Sequence, residues 1–362
     1  MRIIRRHLSV LLFGLLSVKL ASAADLKPDE QVVFFPTLGW RVPGGWEAEL
    51  HGCVFRLERR AVLTPLLRRT LGIEEDELSP EEKARFRERA RLFMVDHEAG
   101  RSVTVNCVGQ GAARHAVRVG PSEANGHLTG HTRFKDEDSA GRGATNLLIQ
   151  FETVRGPDAG PGATGEIHLL SETGWSVISD IDDTIKLSAV RDRHELLRNT
   201  FCRPFKPVPG MADVYQRWVR TNGAQFHYVS ASPWQLYQPL SEFARSNGFP
   251  SGTFHLKYFR VLDGTVLNLF QSPEAYKPGV IEPLLERFPQ RRFVLVGDSG
   301  ERDPEIYGAL ARRFPRQIVR ILIRDVTGEA ADAPRYRKAF DGLAIGQWQV
   351  FKEPDEIRDA LP

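Results

Sequence analysis

From residue 175 onward, short apolar runs that end in polar residues alternate with stretches of helical periodicity. Each apolar run has the length of a strand, and the segments between the runs are long enough to carry a helix back across a sheet. This alternation predicts an α/β domain in which helices cover both faces of a parallel sheet. The predicted strands are 175–179, 226–230, 292–296 and 318–323, and the predicted helices are 211–221, 233–246, 277–288 and 304–314.

Three acids follow the first predicted strand within four residues: Asp180, Asp182 and Asp183. In parallel sheets the functional side chains collect at the carboxyl ends of the strands. Crowded carboxylates repel one another, and a hard divalent cation such as Mg²⁺ satisfies them with oxygen ligands. Asp180 and Asp182 can face one site, where one attacks phosphorus and the other handles the leaving-group proton. Taken alone, these acids are equally consistent with a loop or an acidic helix cap.

A second group of polar residues surrounds the third predicted strand. Asp298 can complete the metal site opposite Asp180, and Asp303 can orient a metal-bound water or a neighbouring carboxylate from outside the ligand shell. Lys277, at the start of the helix that leads into this strand, can neutralise the nucleophile and the phosphoryl oxygens. Ser230 offers a hydroxyl at the end of the second strand, just before the next helix.

These elements together resemble the haloacid-dehalogenase superfamily of phosphotransferases. All of them occur in the expected order, and each follows the expected kind of segment. The matching residues are Asp180, Asp182 and Thr184 in a DxDxT element, Ser230, Lys277, and Gly297, Asp298 and Asp303 in a GDxxxxD element.

The resemblance implies a fold and a mechanism. The fold is a Rossmann-like parallel sheet with a small cap, and the mechanism forms an aspartyl-phosphate on Asp180. Asp182 would first protonate the leaving alcohol and then activate water, with Thr184 and Asp303 in supporting positions. The implied ligands of Mg²⁺ are the side chains of Asp180 and Asp298 and the backbone carbonyl of Asp182.

Longer segments sharpen the resemblance to the actin-patch phosphatidate phosphatase family, over about residues 166–327. That family implies a lipid substrate, phosphatidate, which is hydrolysed to diacylglycerol with Mg²⁺. Two alternatives stay open: a broad-range phosphomonoesterase for soluble exported phosphates, and a cell-envelope binding protein with a vestigial phosphatase domain. The segments that carry the resemblance are ISDIDDTIK, PVPGMADVY, FHYVSASPWQLY, LKYFR, SPEAYK and LVGDSGERDPEIY.

The segment between the second strand and Lys277 is expected to set the substrate. It contains a helix and then two strand-like runs, 254–260 and 266–270, around a turn. We interpret it as a small hairpin-bearing cap, too slight to enclose a substrate, which suits a lipid headgroup at a surface. Lys257 and Arg260 are the predicted substrate-binding cations, although ordinary exposed strand charges explain them as well.

Residues 24–171 are predicted to form a separate β-rich domain, followed by the phosphatase domain at 172–362. Short runs with partial alternation are separated by Gly, Pro and Asn, which predicts a sandwich-like domain of about seven strands. The predicted strands are 32–35, 46–57, 102–108, 115–119, 127–134, 146–154 and 166–170.

One helix interrupts this β pattern. Ser79 is a typical N-cap, Pro80 suits the first helical position, and two acids follow in the first turn. Four arginines, at positions 85, 87, 89 and 91, lie along the helix. Two placements fit the pattern: a solvated helix with its apolar face on the sandwich, or a basic amphipathic element that makes peripheral contact with an anionic membrane.

Residues 1–23 have the pattern of a signal peptide. Arg2, Arg5 and Arg6 precede a short apolar stretch, and Ala21-Ser22-Ala23 supplies small residues for cleavage. We therefore expect an exported protein, periplasmic or secreted, with an uncleaved anchor as the alternative. Loss of the four basic residues of this segment would change the formal charge from +3 to about −1, which gives no support to nucleic-acid binding.

The chain contains three cysteines, and export permits a disulfide. Cys53 and Cys107 both fall in strand-like segments and are the candidate pair. Buried free thiols are an equally good interpretation of the two residues.

Overall fold

The computed structural model describes residues 25–57, 63–108, 114–136, 146–154, 162–257 and 273–361. Within them the strands form two sheets, one from each half of the chain. The predicted signal peptide at 1–23, Arg260 and the predicted strand at 266–270 lie outside the described residues.

The second half is built on a six-stranded sheet with the order β12-β11-β10-β13-β14-β15. Every neighbouring pair is parallel, which confirms the predicted α/β architecture. The first strand in sequence, β10, lies near the centre, because the chain crosses to one side and then to the other. The strands are β10 (Trp175–Ser179), β11 (Gln225–Pro233), β12 (Gly252–Lys257), β13 (Arg292–Asp298), β14 (Ile318–Arg324) and β15 (Trp348–Phe351).

Helices cover both faces of this sheet. Successive strand side chains point to opposite faces, so Val177 packs in one hydrophobic cluster and Ile178 in another. The cluster of Val177 includes residues of α3, α4 and α5, and the cluster of Ile178 includes residues of α6, α7 and α8. These helices are α3 (Arg193–Phe201), α4 (Met211–Asn222), α5 (Tyr237–Ser246), α6 (Pro273–Arg287), α7 (Asp303–Arg313) and α8 (Pro334–Ala339).

One prediction about the segment before β13 is wrong. Lys277 does not start its helix, since α6 begins one turn earlier at Pro273. The described part of the run predicted to start a cap hairpin is β12, which pairs in parallel with β11 in the main sheet, and the rest of the predicted hairpin lies outside the described residues.

The first half contains nine described strands that hydrogen-bond into one connected sheet, so the predicted two-sheet sandwich is not confirmed. The cause is β3, a thirteen-residue strand that pairs with β1 and β2 on one side and with β4 and β7 on the other. The strands are β1 (Gln31–Phe35), β2 (Thr37–Val42), β3 (Gly45–Leu57), β4 (Val95–His97), β5 (Val103–Val108), β6 (Arg114–Val119), β7 (His127–Lys135), β8 (Asn146–Thr153) and β9 (Thr164–Leu170).

Two helices, α1 (Leu63–Thr70) and α2 (Pro80–Arg91), lie between β3 and β4. The cap predicted for α2 is present: Glu82 N donates to Ser79 Oγ at 3.2 Å, and Ser79 N donates to Glu82 Oε2 at 3.0 Å. The apolar face of α2 does not lie on the first sheet alone, because Phe86 and Phe93 contact the ring of Phe201 in α3. This face is buried, so it is not available to a membrane surface.

The three cysteines are buried free thiols. Cys53 belongs to the hydrophobic cluster shared by the two halves, whereas Cys107 belongs to the core of the first sheet, so the candidate disulfide is not formed. No helix in the described ranges has the length and hydropathy needed to span a bilayer.

Candidate active site

The predicted site residues lie at the carboxyl ends of neighbouring strands. Asp180 directly follows β10, and its backbone N–H donates to Val296 O of β13 at 2.9 Å. Ser230 lies near the end of β11, and Asp298 is the last residue of β13. Because these three strands are adjacent, the fold brings side chains that are far apart in sequence to one edge of the sheet.

The loop after Asp180 is held by Asp183, the third acid of the cluster. Asp183 adopts a positive φ of 55°, and its carboxylate accepts backbone N–H groups of Ser188, Ala189 and Val190 at 2.7–3.0 Å. Arg324 Nη1 donates to Asp183 O at 2.7 Å. Asp183 therefore shapes the loop and does not contribute its carboxylate to the metal-ligand group.

Lys277 is the central cation of the site and is fully buried. Its Nζ lies 2.9 Å from Asp180 Oδ1, 2.5 Å from Asp303 Oδ1 and 3.2 Å from Glu301 Oε2. Burial disfavours the charged ammonium, but the carboxylates of Asp180 and Asp303 outweigh it and hold the pKa of Lys277 well above its usual range.

Three buried acids can hold a metal ion. Oxygens of Asp180, Asp298 and Asp303 all lie within 4.8 Å of one another. Burial raises the pKa of Asp180 and of Asp298, and the neighbouring acids raise both further. Asp298 Oδ2 is buried and has no hydrogen-bond partner among the described residues. An orphaned acceptor in a crowded acidic group, where one lysine faces three carboxylates, fits a hard divalent cation with oxygen ligands.

The carboxylate of Asp182 lies outside this acidic group. Its Oδ1 is 2.7 Å from Lys186 Nζ and accepts the Ser188 hydroxyl at 2.7 Å. Its Oδ2 accepts the hydroxyls of Ser230 at 3.0 Å and Ser232 at 2.9 Å. Burial alone would raise the pKa of Asp182, but the Lys186 ammonium and the hydroxyl donors lower it to about 2. This arrangement holds Asp182 in the ionised form, the form that accepts a proton.

The remaining predicted residues fall into three positions. Thr184 Oγ1 donates to Asp180 Oδ2 at 3.0 Å and so fixes the orientation of that carboxylate. Asp303, predicted to lie outside the ligand shell, both pairs with Lys277 and belongs to the acidic group. Lys257 ends β12 in register with Pro233, at the same edge of the sheet.

Sequence reasoning missed two charged residues of the site. Glu301 lies between the two acids of the GDxxxxD element, and Lys186 ends the segment ISDIDDTIK. Both were visible in segments already singled out, but a charge on a loop does not reveal which way its side chain points. Their contacts with Lys277 and Asp182 assign them to the site.

Gly297 is required by the close approach of Asp303. A Cβ at this position would collide with the Asp303 carboxylate, whose Oδ2 accepts the Asp298 N–H at 3.3 Å. We expect Gly297→Ala to destabilise the protein by about 1–3 kcal/mol and to lower kcat, because Asp303 must move away from Lys277. Gly279→Ala on α6 is the matched control, since a Cβ there meets nothing within 4 Å. Denaturant unfolding and kcat equal to wild type for Gly297→Ala would contradict this steric argument.

Known proteins match the part of the chain that carries the site. Residues 175–325 match the family model for "Phosphatidate phosphatase APP1, catalytic domain". Phosphatidate phosphatase APP1 of Saccharomyces cerevisiae is 35% identical over 223 residues, which cover 56% of this chain and 36% of that protein. An uncharacterized protein of Schizosaccharomyces pombe is 33% identical over 168 residues, covering 45% of this chain and 27% of that protein.

The chain thus spans only about a quarter to a third of the length of these relatives. The matched residues 175–325 nevertheless contain all the acids and lysines of the site described above, from Asp180 to Asp303. Through this segment, residues 175–325 of the chain are similar to the phosphatidate phosphatase APP1 catalytic domain.

Proposed function

We propose that this chain is a phosphoric monoester hydrolase that converts phosphatidate to diacylglycerol, with Mg²⁺ as cofactor and an aspartyl-phosphate on Asp180 as intermediate. The observation that carries the proposal is the contact of Lys277 with Asp180 inside a buried acidic group. The family of residues 175–325 supports the lipid substrate. The mechanism is of the haloacid-dehalogenase type that the DxDxT and GDxxxxD elements suggest.

The first chemical step uses Asp180 as nucleophile. One carboxylate oxygen of Asp180 attacks phosphorus, and the bond between phosphorus and the ester oxygen breaks. That oxygen takes a proton from Asp182, which has first received this proton from the phosphate group of the monoanionic ester. Thr184 and Lys277 hold the Asp180 carboxylate in place, and the Lys277 ammonium offsets the negative charge of the phosphoryl group. Asp180 and Asp298, with the backbone carbonyl of Asp182 and the nearby Asp303, would hold Mg²⁺, which would supply positive charge to the phosphoryl oxygens.

The second step releases phosphate. Asp182 removes a proton from water, the water oxygen attacks phosphorus, and the acyl-phosphate bond breaks to restore the Asp180 carboxylate. The ionised Asp182 carboxylate is the base that this step needs. Its Oδ2, which faces the hydroxyls of Ser230 and Ser232, is the atom that we propose carries the proton between the two steps.

The proposal also includes the residues that bind the substrate and the location of the enzyme. Lys257, at the carboxyl end of β12, and Arg260, three residues further along the chain, are the cations that we propose recognise the substrate. The pattern of residues 1–23 supports export to the periplasm or secretion. We further propose peripheral contact with a membrane, since the substrate resides there.

The test is phosphate release by the full chain from phosphatidate in detergent micelles, with glycerol 3-phosphate as the soluble comparison. We expect release from phosphatidate with Mg²⁺, a drop of at least about 100-fold in EDTA, and recovery when Mg²⁺ is returned. A preference for phosphatidate of at least about tenfold, or ~1.4 kcal/mol, is expected in kcat/KM.

Four other outcomes would each contradict a different part of the proposal. Equal kcat/KM on both esters would leave the phosphatase chemistry standing and make the lipid substrate wrong. Full activity in EDTA would contradict the metal requirement. Release from neither ester with Mg²⁺ present would contradict the proposed function itself. Failure of the chain to sediment with phosphatidate vesicles would remove the membrane contact alone.

A further inference from the structure

Two arginines of helix α2, in the first half, donate hydrogen bonds to backbone carbonyls of the second half. Arg85 Nη1 donates to Cys202 O at 3.0 Å, and Arg89 Nη1 donates to Thr200 O at 2.6 Å and to Arg203 O at 2.9 Å. Arg89 is only 7% exposed, and no carboxylate of the described residues lies within ion-pair distance of it. Burial of a guanidinium with only carbonyl partners is costly, so this placement calls for an explanation beyond packing.

The guanidinium of Arg89 begins a chain of contacts that ends at the catalytic site. Its central carbon lies 3.8 Å from the ring centroid of Phe205, a favourable cation–π geometry. Lys186 Nζ lies 5.0 Å from the centroid of the same ring. Lys186 Nζ in turn lies 2.7 Å from Asp182 Oδ1. A side chain from the first half is therefore three contacts away from the carboxylate that transfers the proton.

The backbone follows the same route. Leu187 N donates to Lys206 O at 2.8 Å, and Val208 N donates to Ile185 O at 2.8 Å. These bonds pair the strand-like segment around Lys186 with the segment that follows α3. Arg89 contacts the end of α3 and the segment after it through two backbone carbonyls and the ring of Phe205. This same segment is hydrogen-bonded to the backbone on both sides of Lys186, so Arg89 also helps to position Lys186.

We propose that Arg89 is a positioning residue for the proton-transfer group, acting through Phe205 and Lys186 on Asp182. The inference rests on the proposed function, in which Asp182 protonates the leaving alcohol. It extends the catalytic apparatus beyond residues 175–325, because Arg89 belongs to the first half of the chain. In this proposal the first half also orients the Asp182 side chain, which donates the proton to the leaving alcohol.

This role has a chemical consequence that a packing role does not have. An alkyl phosphate such as phosphatidate releases a poor leaving group and depends on a proton delivered by Asp182, whereas 4-nitrophenyl phosphate releases a stable phenolate without one. The ratio kcat/KM reports the steps up to bond cleavage, so it isolates this dependence from the later release of phosphate. A misaligned Asp182 should therefore slow the alkyl ester selectively.

The experiment measures kcat/KM of the full chain on short-chain phosphatidate and on 4-nitrophenyl phosphate. Arg89→Met keeps the bulk of the side chain and removes its donors and charge. We expect it to lower kcat/KM on phosphatidate by about 10–100-fold and on the aryl ester by less than about twofold. Arg87→Met, at an exposed position of the same helix, is the matched control and should change neither. Phe205→Leu should reproduce the selective loss.

The opposite results are equally clear. An equal fall on both esters, accompanied by a lower melting temperature, would reduce Arg89 to a packing residue, and no change on either ester would overturn the proposal as well. If Arg89→Met does not fold, Phe205→Leu and Arg89→Lys test the positioning role, again by comparing kcat/KM on phosphatidate with kcat/KM on the aryl ester. A wild-type chain that hydrolyses neither ester would overturn the proposed function first, whereas an active wild type with unselective variants overturns this inference alone.

Discussion

Asp180→Asn is expected to lower kcat on any phosphomonoester by at least about 10⁴-fold, because an amide cannot form the acyl phosphate. The substitution is nearly isosteric. The amide oxygen can still accept from Lys277, and the neutral side chain removes one of the three carboxylates that crowd this lysine and Asp298. We therefore expect the unfolding midpoint in EDTA to stay at or above that of wild type, since a buried carboxylate with a raised pKa is lost.

Asp213→Asn serves as the control for this substitution, because Asp213 is an exposed acid on α4. It should leave kcat and the unfolding midpoint unchanged. Retention of more than about a hundredth of wild-type kcat by Asp180→Asn would mean that another group attacks phosphorus. A folded but inactive variant, by contrast, isolates the chemistry of this one carboxylate from its structural contacts.

The second large effect is expected for Lys277→Met, which removes the only ammonium that contacts Asp180, Asp303 and Glu301 in the described part of the chain. Loss of one partner from a buried ion pair leaves the other charges uncompensated and costs about 3–5 kcal/mol. Phosphatase activity should be lost as well, because the phosphoryl group loses a neighbouring cation. Urea unfolding in EDTA, compared with the exposed control Lys338→Met, measures the stability change.

The pH dependence of this variant has a defined sign. Burial and neighbouring acids raise the folded-state pKa of Asp180, and Lys277 is the group that lowers it, so the substitution raises that pKa further. A carboxyl with a raised folded pKa contributes stability below its unfolded pKa and loses it as pH rises through the folded pKa. The variant should approach wild-type stability near pH 4 and fall furthest behind at about pH 7–8. A stability difference that does not change with pH would contradict this electrostatic account.

Much of the second half could be predicted from sequence because the apolar runs that mark its strands also show where the functional residues lie. Each strand is a short apolar run, and the residue that follows it is fixed at the carboxyl edge by the parallel arrangement. This single geometric rule places Asp180, Ser230 and Asp298 together without any knowledge of the loops. Asp303 was also expected near the site, because it follows Asp298 by only five residues and one tight turn at the start of α7.

The failures concern choices that only tertiary contacts decide. The amphipathic pattern of α2 shows that one face is buried, but not that Phe201 of α3 covers it. The alternation of residues in β12 does not reveal that this strand pairs with β11 in the main sheet. Because β3 is long, it pairs with strands along both of its edges. These pairings connect the strands of the first half into one sheet, where the sequence predicted a sandwich. Lys186 contacts Asp182 across a turn that the Asp183 carboxylate stabilises. The side-chain contacts of this turn cannot be predicted from the sequence.

The contact of α2 with α3 also orders events during synthesis of the chain. Arg89 and its carbonyl partner at Thr200 are separated by 111 residues, so α2 leaves the ribosome well before the helix that covers it exists. Until then Phe86 and Phe93 have no aromatic partner in α3, and an exposed apolar face of this kind invites association with other chains. Contacts so distant in sequence also form slowly. Final burial of α2 must therefore await translation of the following half, and a nascent chain stalled between the two helices would be most in need of a chaperone.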